Sequence, residues 1–89
     1  MQFEWDERKR VTNLEKHGLD FLDVAEVFEV SHVVVPSTIS SELRFLAISV
    51  MQNRFVTVVY TMRGEIIRII SFRRSRHEER RKYHELYDE

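Results

Sequence analysis

The stretch from Leu43 to Phe72 constrains the fold most. Three apolar, β-branched runs follow one another there: Leu43–Met51, Phe55–Thr61 and Ile66–Phe72. The breaks between them are short and polar, at Gln52-Asn53-Arg54 and around Arg63-Gly64. Runs of this kind bounded by turn residues predict strands. The connections are too short for a crossover helix, so the strands are antiparallel neighbours. Val33-Val-Val35, ending before Pro36, predicts one more strand, and Pro36–Glu42 reads as a polar loop. A tight hairpin at Arg63-Gly64 sets Thr61 opposite Ile66 and Val59 opposite Arg68. One sheet face then carries Val56, Val58, Tyr60, Ile67, Ile69 and Ser71, the expected core. The other carries Thr57, Val59, Thr61, Ile66, Arg68, Ile70 and Phe72, and its half-polar character suits a ligand or a partner.

Helical signals flank this block. Asp6 is an N-cap candidate for Glu7–His17, and Gly18 fits the position just past the last turn. Asp20 can cap a second helix whose Phe21, Val24, Ala25 and Phe28 fall on one stripe. Ser75-Arg-His-Glu78 has the form of a capping box opening a last helix. That helix is polar until Tyr83, Leu86 and Tyr87. The expected fold is α+β in one domain spanning residues 1–89, with two N-terminal helices, an antiparallel sheet of about four strands and a C-terminal helix.

The net charge of −1 conceals an asymmetry. Residues 1–32 hold eight acids and four bases, whereas residues 63–84 hold eight bases and three acids. Seven of those eight bases are arginine, which keeps its charge and grips phosphate with two parallel hydrogen bonds. A local cationic face on a nearly neutral chain fits a polyanion site, and it equally fits a solvated charged helix. The chain has no cysteine, hence no disulfide framework or thiolate chemistry. The first residues lack the basic and apolar regions of a secretory leader, and no apolar run is long enough to span a bilayer. The expected compartment is the cytoplasm.

The chemistry-bearing motifs are few. None of the four histidines has another at i+4, and His77 and His84 would lie about 10 Å apart along a helix. No metal site and no cofactor are expected, and no phosphate-binding glycine loop or nucleophile elbow is present. Lys16-His17-Gly18 ends the first helix, where cations are favoured by the helix dipole. Those bases are ordinary capping or part of a site. Histidine, with an unperturbed pKa of about 6.5, suits proton transfer near neutrality. Arg68 shares its face with Thr57 and Thr61 and suits phosphate or a strand-edge salt bridge. Arg73 and Arg74 point to opposite faces as long as the strand continues. Arg44 pairs with Glu42 or touches a polyanion. Arg76, Arg80 and Tyr83 lie along one stripe of the last helix, and Tyr83 stacks on an aromatic ligand, donates a proton or, with Leu86 and Tyr87, docks the helix.

At this point a family pattern emerges. Phe3, Trp5, Asp6, Lys9, Asn13, Lys16-His17-Gly18-Leu19 and Phe21 are followed by Ala25 and Val27-Phe28. Glu42, Arg44-Phe45-Leu46 and Val58-Val59-Tyr60-Thr61 come next. Arg63-Gly64, Ile67–Ser71, Arg73-Arg74, Glu79-Arg80 and Tyr83 complete the set. In this order and spacing the chain resembles the BrnT family of type II toxins. The loop after Pro36 lacks the acidic, glycine-containing character of relatives. The resemblance implies a RelE-like fold and a metal-independent endoribonuclease that arrests translation. It also implies a BrnA-type antitoxin that blocks the toxin and represses their operon, so that DNA is reached only through that partner. Such a protein cleaves RNA by attack of a 2′-hydroxyl on the adjacent phosphate, with Lys16, His17, Arg68 and Arg73 as catalytic candidates. Arg44, Arg74, Arg76, Arg80 and Tyr83 are the RNA-binding candidates. The same cations would also serve a non-catalytic nucleic-acid-binding regulator or an antitoxin-binding corepressor.

Overall fold

In the computed structural model, which describes residues 1–37 and 41–87, three helices pack on a five-stranded sheet. The elements in chain order are β1 (Gln2–Glu4), α1 (Glu7–His17), a short 3₁₀ turn (Phe21–Asp23) leading into α2 (Val24–Glu29), β2 (His32–Ser37), β3 (Arg44–Met51), β4 (Arg54–Arg63), β5 (Ile66–Arg74) and α3 (His77–Tyr87). The spatial order is β1-β5-β4-β3-β2. The meander from β2 to β5 is antiparallel, as expected. The sheet as a whole is mixed, because β1 adds to β5 in parallel, Phe3 opposite Ile67. A three-residue strand is too short to show a period, so Phe3-Glu-Trp5 carried no strand signal.

Local chemistry sets the element ends. Asp6 accepts from the Arg8 N–H at 2.8 Å and caps α1, and Gly18 ends the helix at φ 71°, donating its N–H to Leu14. Asp20 also caps, but through Leu22 N–H, so the expected second helix begins as one 3₁₀ turn before α2. Strand β2 runs through Pro36, opposite Phe45, rather than stopping before it. As an edge strand it tolerates a residue that lacks an N–H. Residues 38–40 of the expected Pro36–Glu42 loop lie outside the described residues.

The β4–β5 hairpin corrects the expected register. Arg63 pairs with Ile66, so the turn is Gly64-Glu65, and Thr61 faces Arg68. Further along, Tyr60 faces Ile69 while Val59 faces Ser71, so Ile70 is an extra residue in β5. A bulge of one residue exchanges the two faces beyond it. Phe72 therefore enters the core, fully buried, and Ser71 turns to the other face. The core joins Phe21, Val24, Val27, Ala47, Val56, Val58, Tyr60, Ile67, Ile69 and Phe72. Phe3 and Trp5 pack against it, Trp5 edge-on to Phe21 at 6.1 Å and Phe3 on Phe28 at 5.6 Å.

Asn13 secures the bulge. Strand β1 ends opposite Arg68, so the backbone of β5 beyond that point has no strand neighbour on one side. Asn13, buried on α1, takes that place. Its amide donates to the carbonyls of Phe72 (2.8 Å) and Leu19 (3.0 Å), and its Oδ1 accepts from the Phe72 N–H (3.2 Å) and the Ser71 hydroxyl (3.3 Å). Asn13→Ala is expected to lower unfolding free energy by about 2–3 kcal/mol, because it strands buried backbone groups rather than removing a surface bond. Urea unfolding checks this.

Candidate functional site

The sheet face away from the core carries Val33, Val35 and Ser37 of β2, Arg44, Leu46 and Ile48 of β3, Thr57, Val59 and Thr61 of β4, and Arg68, Ser71 and Arg73 of β5. This follows from strand alternation and the bulge. Helix α3 covers one half of this face. Tyr83 packs edge-on to Phe55 at 5.5 Å and lies 4.8 Å from Tyr87, whose hydroxyl donates to the His32 carbonyl. Leu86 stays exposed, so the docking contacts among the three apolar residues come from the two tyrosines. The other half of the face remains open.

Glu79 joins α3 to that open half. It is 7% exposed and grips both terminal nitrogens of Arg73, at 2.8 and 2.9 Å. It also accepts from the Thr57 hydroxyl and from the Arg76 N–H, each at 2.9 Å. Burial penalises the charged carboxylate, yet the bonds from Arg73, the Arg76 amide and Thr57 outweigh it and hold the pKa at about 2. The expected capping box is thus displaced by one residue. The helix starts at His77, Glu79 reaches back to Arg76, and Ser75 bonds Thr57 instead. Glu79 was visible only as part of the family pattern. Its relation to Arg73 and Thr57 is a tertiary one.

Two hollows meet at the bulge. One, of about 200 Å³, is lined by Lys9, Thr12, Asn13, Lys16, His17, Ile70 and Ser71. The other, of about 190 Å³, is lined by Ser37, Arg44, Leu46, Val59, Ile70, Ser71, Arg73, Arg76 and Glu79. Ile70 and Ser71 form the wall they share. The C-terminus of α1 is thereby set beside the end of β5. Burial, then the charges of Lys16 and Arg73, push His17 below its ordinary value of 6.5. Both effects favour the neutral imidazole.

Lys16 and His17 thus line one hollow and Arg44, Arg73 and Arg76 the adjoining one, with Ile70 and Ser71 between them. The remaining candidates are placed differently. Arg68 lies on the same face toward β1 and pairs with Glu4 at 2.7 Å. Arg44 lies 3.6 Å from Glu42, the expected pair. Arg74 is exposed, opposite Val56 and on the other face from Arg73. Arg80 sits over the Phe55 ring at 5.8 Å, next to Tyr83. Neither Arg74, Arg80 nor Tyr83 lines the two hollows. Asn13, Ser71 and Glu79 line them, and had no assigned role from sequence.

Among the described residues, no three His, Cys, Asp or Glu side chains cluster as a metal site would require. No helix there is long and apolar enough to cross a membrane. The two hollows set cationic side chains near an imidazole whose pKa burial and those charges lower. No curated protein matches the chain significantly. Residues 5–79 match the model of the family described as the ribonuclease toxin, BrnT, of type II toxin–antitoxin systems. That match takes in α1, the whole sheet from β2 to β5 and the start of α3, and the chain belongs to the BrnT family of ribonuclease toxins.

Proposed function

We propose that this toxin is a metal-independent endoribonuclease of RelE-like fold, arresting translation until a BrnA-type DNA-binding antitoxin covers it. The observation that carries this reading is the meeting of Lys16, His17 and Arg73 around the Ile70–Ser71 bulge. An RNA phosphate seated there is gripped by Arg73 and Lys16. Neutral His17 takes the proton from the 2′-hydroxyl, the oxygen attacks phosphorus, and the bond to the 5′-oxygen breaks as that oxygen takes a proton from water, the imidazolium returning its own proton to solvent afterwards. The products are a 2′,3′-cyclic phosphate and a 5′-hydroxyl. Fixed cations around the phosphate stabilise the charge that gathers in the transition state. Glu79 holds Arg73 in one orientation, which spares the reorganisation a free arginine would need. Arg68, which lines neither hollow and lies toward β1 on Glu4, has a scaffolding part in this reading. Arg76 and Arg44 carry the strand onward, while Arg74, Arg80 and Tyr83 offer contacts outside the hollows.

The test is cleavage of RNA by the antitoxin-free protein in EDTA. Fragments ending in a cyclic phosphate are expected. Loss of cutting in the chelator, or no cutting by folded protein, would overturn the reading.

The electrostatics add a pH prediction. A base is active when deprotonated, so kcat/KM should fall as pH drops through the His17 pKa of the free protein. That midpoint is expected below 6.5, in the direction burial and the two cations impose. Lys16→Ala removes one of those cations, so the acid limb should move upward while RNA binding weakens. A limb that stays in place would separate His17 from the proton transfer.

A further inference from the structure

We propose that the hollow walled by Leu46, Val59 and Ile70 is a guanine subsite, so that this toxin selects the base beside the bond it cuts. The proposal rests on the ribonuclease reading above and adds to it the chemistry of the recognised nucleotide.

The hollow adjoins the surface assigned to the phosphate, sharing Ile70 and Ser71 with it. A nucleotide whose phosphate lies at the bulge therefore has its base within reach of this cavity. Its size of about 190 Å³ admits one base. Leu46 and Val59 are paired neighbours on β3 and β4, and Ile70 projects from the bulge, which gives the base apolar surface to lie on.

Arg44 supplies the specificity. Among the described residues, its Nε–H is the buried side-chain polar group without a hydrogen-bond partner. Buried donors are seldom left unpaired, because the lost hydration is not repaid. The ion pair with Glu42, at 3.6 Å, runs through Nη2 on the same edge as Nε and is too long for a good hydrogen bond, so that edge is only loosely held. An arginine edge with a donor to spare matches two adjacent acceptors. Guanine offers these as O6 and N7, whereas adenine sets an amino donor beside N7. Guanine also brings donors of its own on N1 and N2. Glu79 lines the same hollow, and its Oε2, which accepts from Arg73, has acceptor capacity left.

The experiment is titration of the antitoxin-free protein with the four nucleoside 3′-monophosphates, alongside Arg44→Lys. Lysine keeps the charge and removes the paired donor edge. Guanosine 3′-monophosphate is expected to bind at least about tenfold more tightly than its adenosine and uridine counterparts. In Arg44→Lys that gap should close to within about threefold, as a point charge cannot read two acceptors. Leu46→Trp, which fills the hollow while leaving the Arg44 side chain in the sequence, should erase the preference as well and serves if Arg44→Lys does not fold. Equal affinities, or a guanine preference that survives either folded variant, would overturn the proposal. RNA cleavage is scored separately. A protein that cuts RNA but binds the four nucleotides equally loses only the subsite. One that prefers the guanine nucleotide but cuts nothing keeps the subsite and loses the ribonuclease reading.

Discussion

His17→Ala is expected to reduce RNA cleavage by about 10²–10⁴-fold, the usual contribution of a placed proton-transfer group. RNA affinity should change little, because Lys16 and Arg73 remain to hold the phosphate. Stability should change by about 1 kcal/mol or less, since the ring is only partly buried at the end of α1, outside the core. Single-turnover cleavage and a binding titration on the same preparation check both parts. Together they also separate catalysis from the corepressor alternative, in which His17→Ala would leave nothing to lose. A parallel loss of affinity would mean that the imidazole binds phosphate rather than moving a proton.

The largest stability effect is expected at Glu79. Glu79→Gln keeps the shape and can still reach the Arg76 N–H and Thr57, but it leaves the Arg73 guanidinium partly buried without its counter-charge. Breaking one partner of such a pair typically costs about 3–5 kcal/mol. That is a large share of the stability available to a domain of this size. Arg73 should also lose its fixed orientation, so cleavage falls with stability. The pH dependence follows from the sign of the shift. Glu79 titrates at about 2 in the folded protein against 4.5 ordinarily. Its contribution is fully present above 4.5 and is lost as pH falls toward 2. The difference between wild type and Glu79→Gln in urea should therefore be constant from pH 7 to 5 and shrink toward pH 2. A difference that persists at pH 2 would assign the effect to packing rather than to the ion pair.

Much of this protein was legible in its sequence because the relevant physics is local. The meander from β3 to β5 follows from apolar runs joined by breaks too short for a crossover. Asp6 and Gly18 bound α1 because a short acidic side chain and a residue free to adopt positive φ satisfy the helix ends. The family pattern placed the chain among ribonuclease toxins, and Lys16, His17, Arg44, Arg73 and Arg76 were recognisable as cations worth examining.

The tertiary structure decided what those cations do. Strand alternation assigned Ser71 to the core and Phe72 to the opposite face. One extra residue at Ile70 reversed that assignment, and such a bulge leaves no mark in a hydrophobic pattern when both neighbours are plausible on either side. The bulge is stable because Asn13, from an element some sixty positions earlier, pairs with Phe72 as a strand would. The same long-range closure sets α1 beside the end of β5 and so brings His17 under the influence of Arg73. Arg68 and Arg73 look alike in the sequence. One ends on Glu4 and the other on buried Glu79, partners that sequence distance hides. The sequence by itself determined the elements and the supply of charge, which depend on neighbours along the chain. The site was decided by folding, because which cations are held, which face one another and which charges act on His17 are properties of distances across the sheet.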